Sequence, residues 1–198
     1  MKHSVTIFCT AVCLTILAGC TGVSVQPATD PAEKLRIAQA LYTQEQRPVP
    51  AENQIQEAIE MYVQQQNTVG LAEAYRQYGL FFRSDAVKKS EQYFRNNGFI
   101  EPSVTYDTRY SKSIEYFEKA RDLYAEQKKY DALTNLYLNM GLTYELMQNP
   151  QAACPAFDQM ISSYKEHLRA RPTAVLFAPA GYANLEGYMA DVKKKGGC

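Results

Sequence analysis

Five cysteines, two histidines and a scatter of arginines and carboxylates carry whatever chemistry this chain performs. A thiol can be acylated, oxidised to a disulfide, or used as a nucleophile. Nucleophilic use needs a neighbouring base, and the histidines offer none by spacing: His3 sits in the first residues, and His167 has neither a second histidine nor a cysteine pair at metal-ligand distance. His167 is expected as an exposed helix residue. The sequence holds no G-x-S-x-G, phosphate-binding loop, dinucleotide fingerprint or H-E-x-x-H. Its carboxylates follow helix faces rather than forming an acid/base pair. No catalytic residue, metal or cofactor is therefore assigned, and an enzyme with an unrecognised site remains the weakest of the functional alternatives.

The cysteine with the strongest context is Cys20. It closes "MKHSVTIFCTAVCLTILAGC", in which Lys2 and His3 precede an apolar run from Val5 to Gly19. That run is short for a bilayer span and has the layout of an export signal. Leu17-Ala18-Gly19-Cys20 resembles the bacterial lipobox, which implies cleavage before Cys20 and diacylglycerol on its thiol; a covalent lipid is then the membrane anchor. Residues 1–19, with Cys9 and Cys13, read as the discarded leader. Thr21 is not the aspartate that retains such lipoproteins in the inner membrane, so the resemblance implies the bacterial outer membrane, facing the periplasm.

Across the chain 21 basic residues balance 21 acidic ones, and loss of Lys2 with the leader leaves 20 against 21. Such balance gives no electrostatic reason to expect a nucleic-acid partner. Residues 20–30 are small, polar and aperiodic, as in a tether. At "DPAE" the pattern changes: Asp30 suits an N-cap, Pro31 the first helical position, and Glu33 a capping-box spacing. The folded domain is expected over 31–198.

Within that domain a glycine recurs among helix formers. Gly141 lies 40 residues before Gly181 and 62 after Gly79. Large residues precede each glycine by four (Tyr75, Tyr137, Phe177), and aromatics follow two of them by three (Phe82, Tyr144). Partner segments follow, with Ser113, Phe117 and Ala120 in one and Ala153, Phe157 and Met160 in the next; Ala51, Ile55 and Ala58 stand at the same offsets earlier. This pattern resembles the tetratricopeptide repeat, a helix pair reading large-x-x-L-G-x-x-Y and then A-x-x-x-F. The match covers about residues 31–195 and is densest over Thr134–Tyr164. Gln39 in place of glycine, Met160 in place of a small residue and Asn184 in place of an aromatic depart from it.

The resemblance implies an all-α, right-handed helical solenoid of three helix pairs and a C-terminal capping helix. First helices are expected at about 31–46, 71–84, 130–148 and 178–195, and second helices at about 51–66, 111–128 and 152–169. Gly141 is then small because its partner helix crosses it, with Ala153 as the expected facing residue. Pro179 places the start of the last helix near Ala178, and Lys193–Lys195 before Gly196-Gly197 supplies its stop. Pro155 is expected to mark where regular helix begins in its segment.

The offset of 62 exceeds 40 by 22, and the excess falls at about 83–110. Two readings are open for this insertion: Phe99, Ile100, Tyr106 and Tyr110 seal the repeat's own core, or Phe99, Tyr106 and Tyr110 flank the groove and touch a partner.

In tetratricopeptide proteins the first helices line a concave face, which here implies Glu33, Arg36 and Ala40, then Glu73, Arg76, Leu80 and Arg83, then Asn135, Leu138, Leu142 and Glu145, with Tyr182 from the cap. Arg36 and Arg76 beside apolar neighbours suit a carboxylate or an acidic peptide. The family's clamp for chaperone tails is not matched, since Ala40 and Gln77 occupy two of its positions. Antiparallel alternation returns the end of the last helix toward the start of the helix holding Cys154, so Cys154 and Cys198 can pair as a disulfide in an exported protein. The alternative leaves Cys154 buried and Cys198 disordered or pairing with a second chain.

Together these readings imply a lipid-anchored periplasmic scaffold that holds an envelope protein or peptide, attached to the membrane through its N-terminal lipid. A self-associating structural lipoprotein is the alternative.

Overall fold

A computed structural model of the chain describes residues 28–173 and 178–198. The expected leader, the lipid-bearing Cys20, most of the tether and Phe177 lie outside them. Every regular element among the described residues is helical, and none of these helices is long and apolar enough to cross a membrane.

Helix α1 (Pro31–Thr43) begins where "DPAE" places it, with the Asp30 carboxylate accepting from the Glu33 N–H at 2.9 Å. Then come α2 (Pro48–Gln64) and α3 (Thr68–Phe82), the latter capped by the Asn67 side chain on Gly70 N–H. The insertion supplies two short helices, α4 (Asp85–Lys89) and α5 (Glu91–Asn97), and Gly98 ends α5 at φ 74°. The remaining four are α6 (Arg109–Glu126), α7 (Tyr130–Leu146), α8 (Pro150–Ala170) and α9 (Leu185–Lys195). Asn149 and Asn184 cap the last two through their side-chain oxygens.

The expected helices exist in the expected order, and two details are corrected. Residues 178–184 are not helical: Gly181 adopts φ 94°, and Asn184 rather than the Pro179 region starts α9. Gly181 is thus a turn residue and not a third helix-crossing glycine. Pro155 lies inside α8 rather than at its start. The bond it cannot donate would have gone to the Gln151 carbonyl, on an exposed stretch where water can serve that oxygen, while Ala153, Ala156 and Phe157 hold the opposite face buried.

The turns α1–α2, α2–α3, α6–α7 and α7–α8 share one device. Each carries a single non-glycine residue at positive φ: Gln46 (56°), Gln66 (52°), Lys128 (50°) and Gln148 (56°). In the last three the next N–H reaches back five residues, Asn67 to the Tyr62 carbonyl, Lys129 to Tyr124 and Asn149 to Tyr144, at 2.9 to 3.0 Å. That is the bond pattern of a Schellman C-cap, with glutamine or lysine where glycine is usual. Short turns of this kind make consecutive helices antiparallel neighbours.

Packing follows chain order, α1 on α2, α2 on α3, α6 on α7, α7 on α8 and α8 on α9, and α3 packs directly on α6 with the insertion set aside. Where these helices cross, the chain is small. A Cβ on Gly141 would lie 2.2 Å from a Phe157 ring carbon, and one on Gly79 would lie 2.5 Å from the Phe117 ring. The residue facing Gly141 is therefore Phe157 and not Ala153: the glycine makes room for a whole ring. Both phenylalanines are fully buried.

The insertion folds back on the core. Phe99 stacks on Phe94 at 4.2 Å between centroids and meets Phe82 edge-on at 5.3 Å, while Val104 and Tyr106 are buried in the same cluster. Ile100, which the core-sealing reading places inside, is instead exposed. Arg109 closes the segment, its guanidinium between the rings of Tyr106 at 3.8 Å and Tyr110 at 4.1 Å.

Candidate functional site: the face lined by α1, α3 and α7

Side-chain bonds tie α1, α3 and α7 together along one side of the molecule. From α1, the Tyr42 hydroxyl donates to the Gln77 side-chain oxygen on α3 at 2.7 Å. Gln77 in turn donates to Glu73 at 3.2 Å. The Glu73 carboxylate takes one edge of the Arg76 guanidinium, Nε at 2.8 Å and Nη2 at 2.6 Å, and accepts from the Tyr124 hydroxyl of α6 at 2.8 Å. Arg76 Nη1 reaches Asn135 of α7 at 3.4 Å. About two turns further along, Arg83 Nη1 donates to the Asn139 carbonyl at 2.8 Å and to Thr143 Oγ1 at 3.1 Å.

The electrostatics of this row differ between its two arginines. Burial works against charge on both members of the Glu73–Arg76 pair, yet their mutual hydrogen bonds win: the Glu73 carboxyl lies below its ordinary range and the Arg76 guanidinium above its own. Arg83 has no carboxylate to oppose its burial, and burial lowers it, with Tyr110 and Tyr42 acting in the other direction. Burial also pushes the Tyr42 phenol up to about 12.

Of the groove residues read from the sequence, Glu73, Arg76, Arg83 and Asn135 come together here. Three do not. Arg36 stays exposed on α1 and is held by Glu33. Glu145 lines a separate hollow with Gln148, Asn149, Pro150, Lys195 and Gly196. Tyr182 precedes α9 in the non-helical segment, where its hydroxyl donates to Asp191. Their faces were assigned from an ideal repeat, and the shifted start of α9 moves the chain around Tyr182 out of register. In the insertion, Phe99 and Tyr106 take the sealing role. Tyr110, half-buried, is the residue there whose hydroxyl acts on Arg83.

Two hollows open on this face. One, of about 180 Å³, is lined by Asp131, Thr134, Asn135 and Leu138 of α7 with Met160, Leu185, Tyr188 and Met189. The other, of about 500 Å³, lies among Gln39, Tyr42 and Thr43 of α1, Gln46 of the α1–α2 turn, Leu80, Arg83, Ser84 and Asp85, and Leu146 of α7. Leu146, 48% exposed, escaped the sequence reading, although a leucine closing a helix beside a turn is the available signal.

Two buried polar residues were also missed. Glu52 is 2% exposed on α2 and accepts from the Tyr78 hydroxyl at 2.8 Å and from the Ile100 N–H at 3.0 Å, tying the insertion to the first helices. Burial pushes its carboxyl up to about 7. His167, expected exposed, is 4% exposed, and its Nε2 has no hydrogen-bond partner among the described residues. It lies three residues beyond Tyr164 on the buried stripe of α8, a helical spacing that was legible.

Cys154 and Cys198 form a disulfide, with Cα atoms 5.5 Å apart. It fastens the chain after α9 to the first turns of α8.

Neither family models, nor curated proteins, nor solved structures give a match to this chain.

Proposed function

We propose that this chain is a lipid-anchored, tetratricopeptide-like scaffold at the periplasmic face of a bacterial outer membrane, holding an envelope protein or peptide along the α1–α3–α7 face. The observation that carries the repeat reading is recurrence: one left-handed turn residue used four times, and an aromatic ring seated on a glycine in both later helix pairs. The first helices of three pairs then stand side by side and present the Glu73–Arg76–Asn135 row, Arg83 and two hollows. Support for the anchor is the Leu17-Ala18-Gly19-Cys20 sequence alone. The Cys154–Cys198 disulfide agrees with an oxidising compartment.

In this reading the lipid confines the scaffold to a surface and raises the local concentration of its partner there. The test is to isolate the chain from bacterial membranes, determine the mass of its N-terminal peptide, and identify what co-purifies. An acylated peptide beginning at Cys20 is expected, and Cys20→Ser should release both the chain and its partner from the membrane fraction. An unmodified N-terminus with unchanged fractionation contradicts the anchor.

A further inference from the structure

We infer that the cleft where α1, α3 and α7 end, about 500 Å³ in volume, is a recognition site for a peptide carboxylate, with Arg83 as the group that binds it. This deepens the scaffold reading and rests on it for the identity of the partner as a protein. Arg36, Arg47, Arg76, Arg95, Arg121 and Arg169 each have a carboxylate within 4 Å, and Arg171 is exposed to solvent. Arg109 has none but is enclosed by two aromatic rings and the Tyr106 carbonyl. Among the described residues Arg83 has no carboxylate within 4 Å and no ring against its guanidinium, although the Tyr42 and Tyr110 phenols act on its charge.

The Arg83 side chain is oriented for a ligand. Its Nη1 is used on α7, which fixes the guanidinium, while Nε and Nη2 have no protein acceptor among the described residues. Nε and Nη2 form the edge whose two parallel N–H bonds match a carboxylate. The molecule uses that same edge elsewhere, where Arg76 holds the two oxygens of Glu73. The half-buried guanidinium has no counter-charge within 4 Å among the described residues, and a bound carboxylate supplies one.

The walls refine the ligand. Leu80 and Leu146 give the cleft aliphatic sides, and Gln39 brings an exposed amide group able to bond a peptide backbone. Asp85, exposed at the rim, repels additional negative charge and so disfavours a phosphate dianion relative to a single carboxylate. An aspartate or glutamate next to an aliphatic residue satisfies all of these features.

The experiment follows the arginine Nε–H and leucine methyl NMR signals of the full chain in detergent micelles while acetyl-Leu-Asp-amide, acetyl-Leu-Asn-amide or inorganic phosphate is added. The acidic peptide should move the Arg83 and Leu146 signals with at least fivefold higher affinity than its asparagine counterpart. Arg83→Met should abolish the effect. Because that change also removes a bond between α3 and α7, Leu146→Glu serves as a second variant: it alters an exposed position and should lower affinity at least fivefold by placing a carboxylate at the site. Equal binding of both peptides, no response at Arg83, or a phosphate response as strong as that to the acidic peptide would overturn the proposal. A partner that co-purifies equally with wild type and Leu146→Glu would overturn it while leaving the scaffold standing; a carboxylate response without any protein partner would do the reverse.

Discussion

At Gly141 the decisive quantity is the 2.2 Å that would separate a methyl carbon from the Phe157 ring. Alanine would gain about 1 kcal/mol of helix propensity, yet overpacking a filled crossing costs about 1–3 kcal/mol, and the fully buried ring has nowhere to move. Gly141→Ala should therefore lower stability by about 1 kcal/mol in denaturant titration, and adding Phe157→Leu should recover part of the loss. A stabilised Gly141→Ala would show that propensity outweighs packing. Glu52 sets a second expectation. Its carboxyl binds a proton more tightly folded than unfolded, so its contribution is fully present below about pH 4.5 and is lost as pH rises through about 7. The shift corresponds to about 3 kcal/mol, and denaturant midpoints should fall from pH 5 to pH 8. The depressed carboxyls of Glu73 and Glu101 act in the opposite sense, but at lower pH. Glu52→Gln should flatten the profile; an equal slope in the variant would show that another group produces it. The need for glycine at 141 was legible in the sequence, while its true partner was not, because one turn of α8 separates Ala153 from Phe157 and periodicity alone does not say which points at the crossing. Glu52 was illegible for a related reason: its neighbours Ala51 and Ile55 announce a buried face, but only the folded insertion supplies the donors that let a carboxylate sit there.

The helices themselves were the most legible feature, since apolar spacing and the Asp30-Pro31 cap act locally. The turns were not. Gln46, Gln66, Lys128 and Gln148 adopt a conformation that composition does not signal, held by carbonyls of the preceding helix. At α9 the proline signal misled: Pro179 can begin a helix, but Gly181 at φ 94° interrupts the turn, and Asn184, which accepts from Gly187 N–H at 2.8 Å, provides the actual start. That short helix buries chiefly Met189 and Val192, so its attachment depends strongly on the disulfide at its end. The two cysteines lie 44 positions apart, for which loop-closure entropy gives about 4 kcal/mol. Cys198→Ser should lower the melting temperature and raise amide exchange in α9 more than in α1 or α2. Uniform exchange throughout would mean that α9 is held by packing alone.

For the whole molecule, side-chain bonds tie α1, α3 and α7 along one face and leave their polar row partly unsatisfied at Arg83, whereas the insertion places Phe99 and Tyr106 in the core. A scaffold requires its partner to meet the first face and not the backs of α6 and α8. The most direct measurement is photocrosslinking in native membranes from a residue introduced at Asn135 or Leu146, against Glu118 or Lys165 on the second helices. The account predicts that one envelope protein is captured from Asn135 and Leu146 and not from the other two positions. Capture from all four alike, or only a second copy of this chain at any of them, would contradict it.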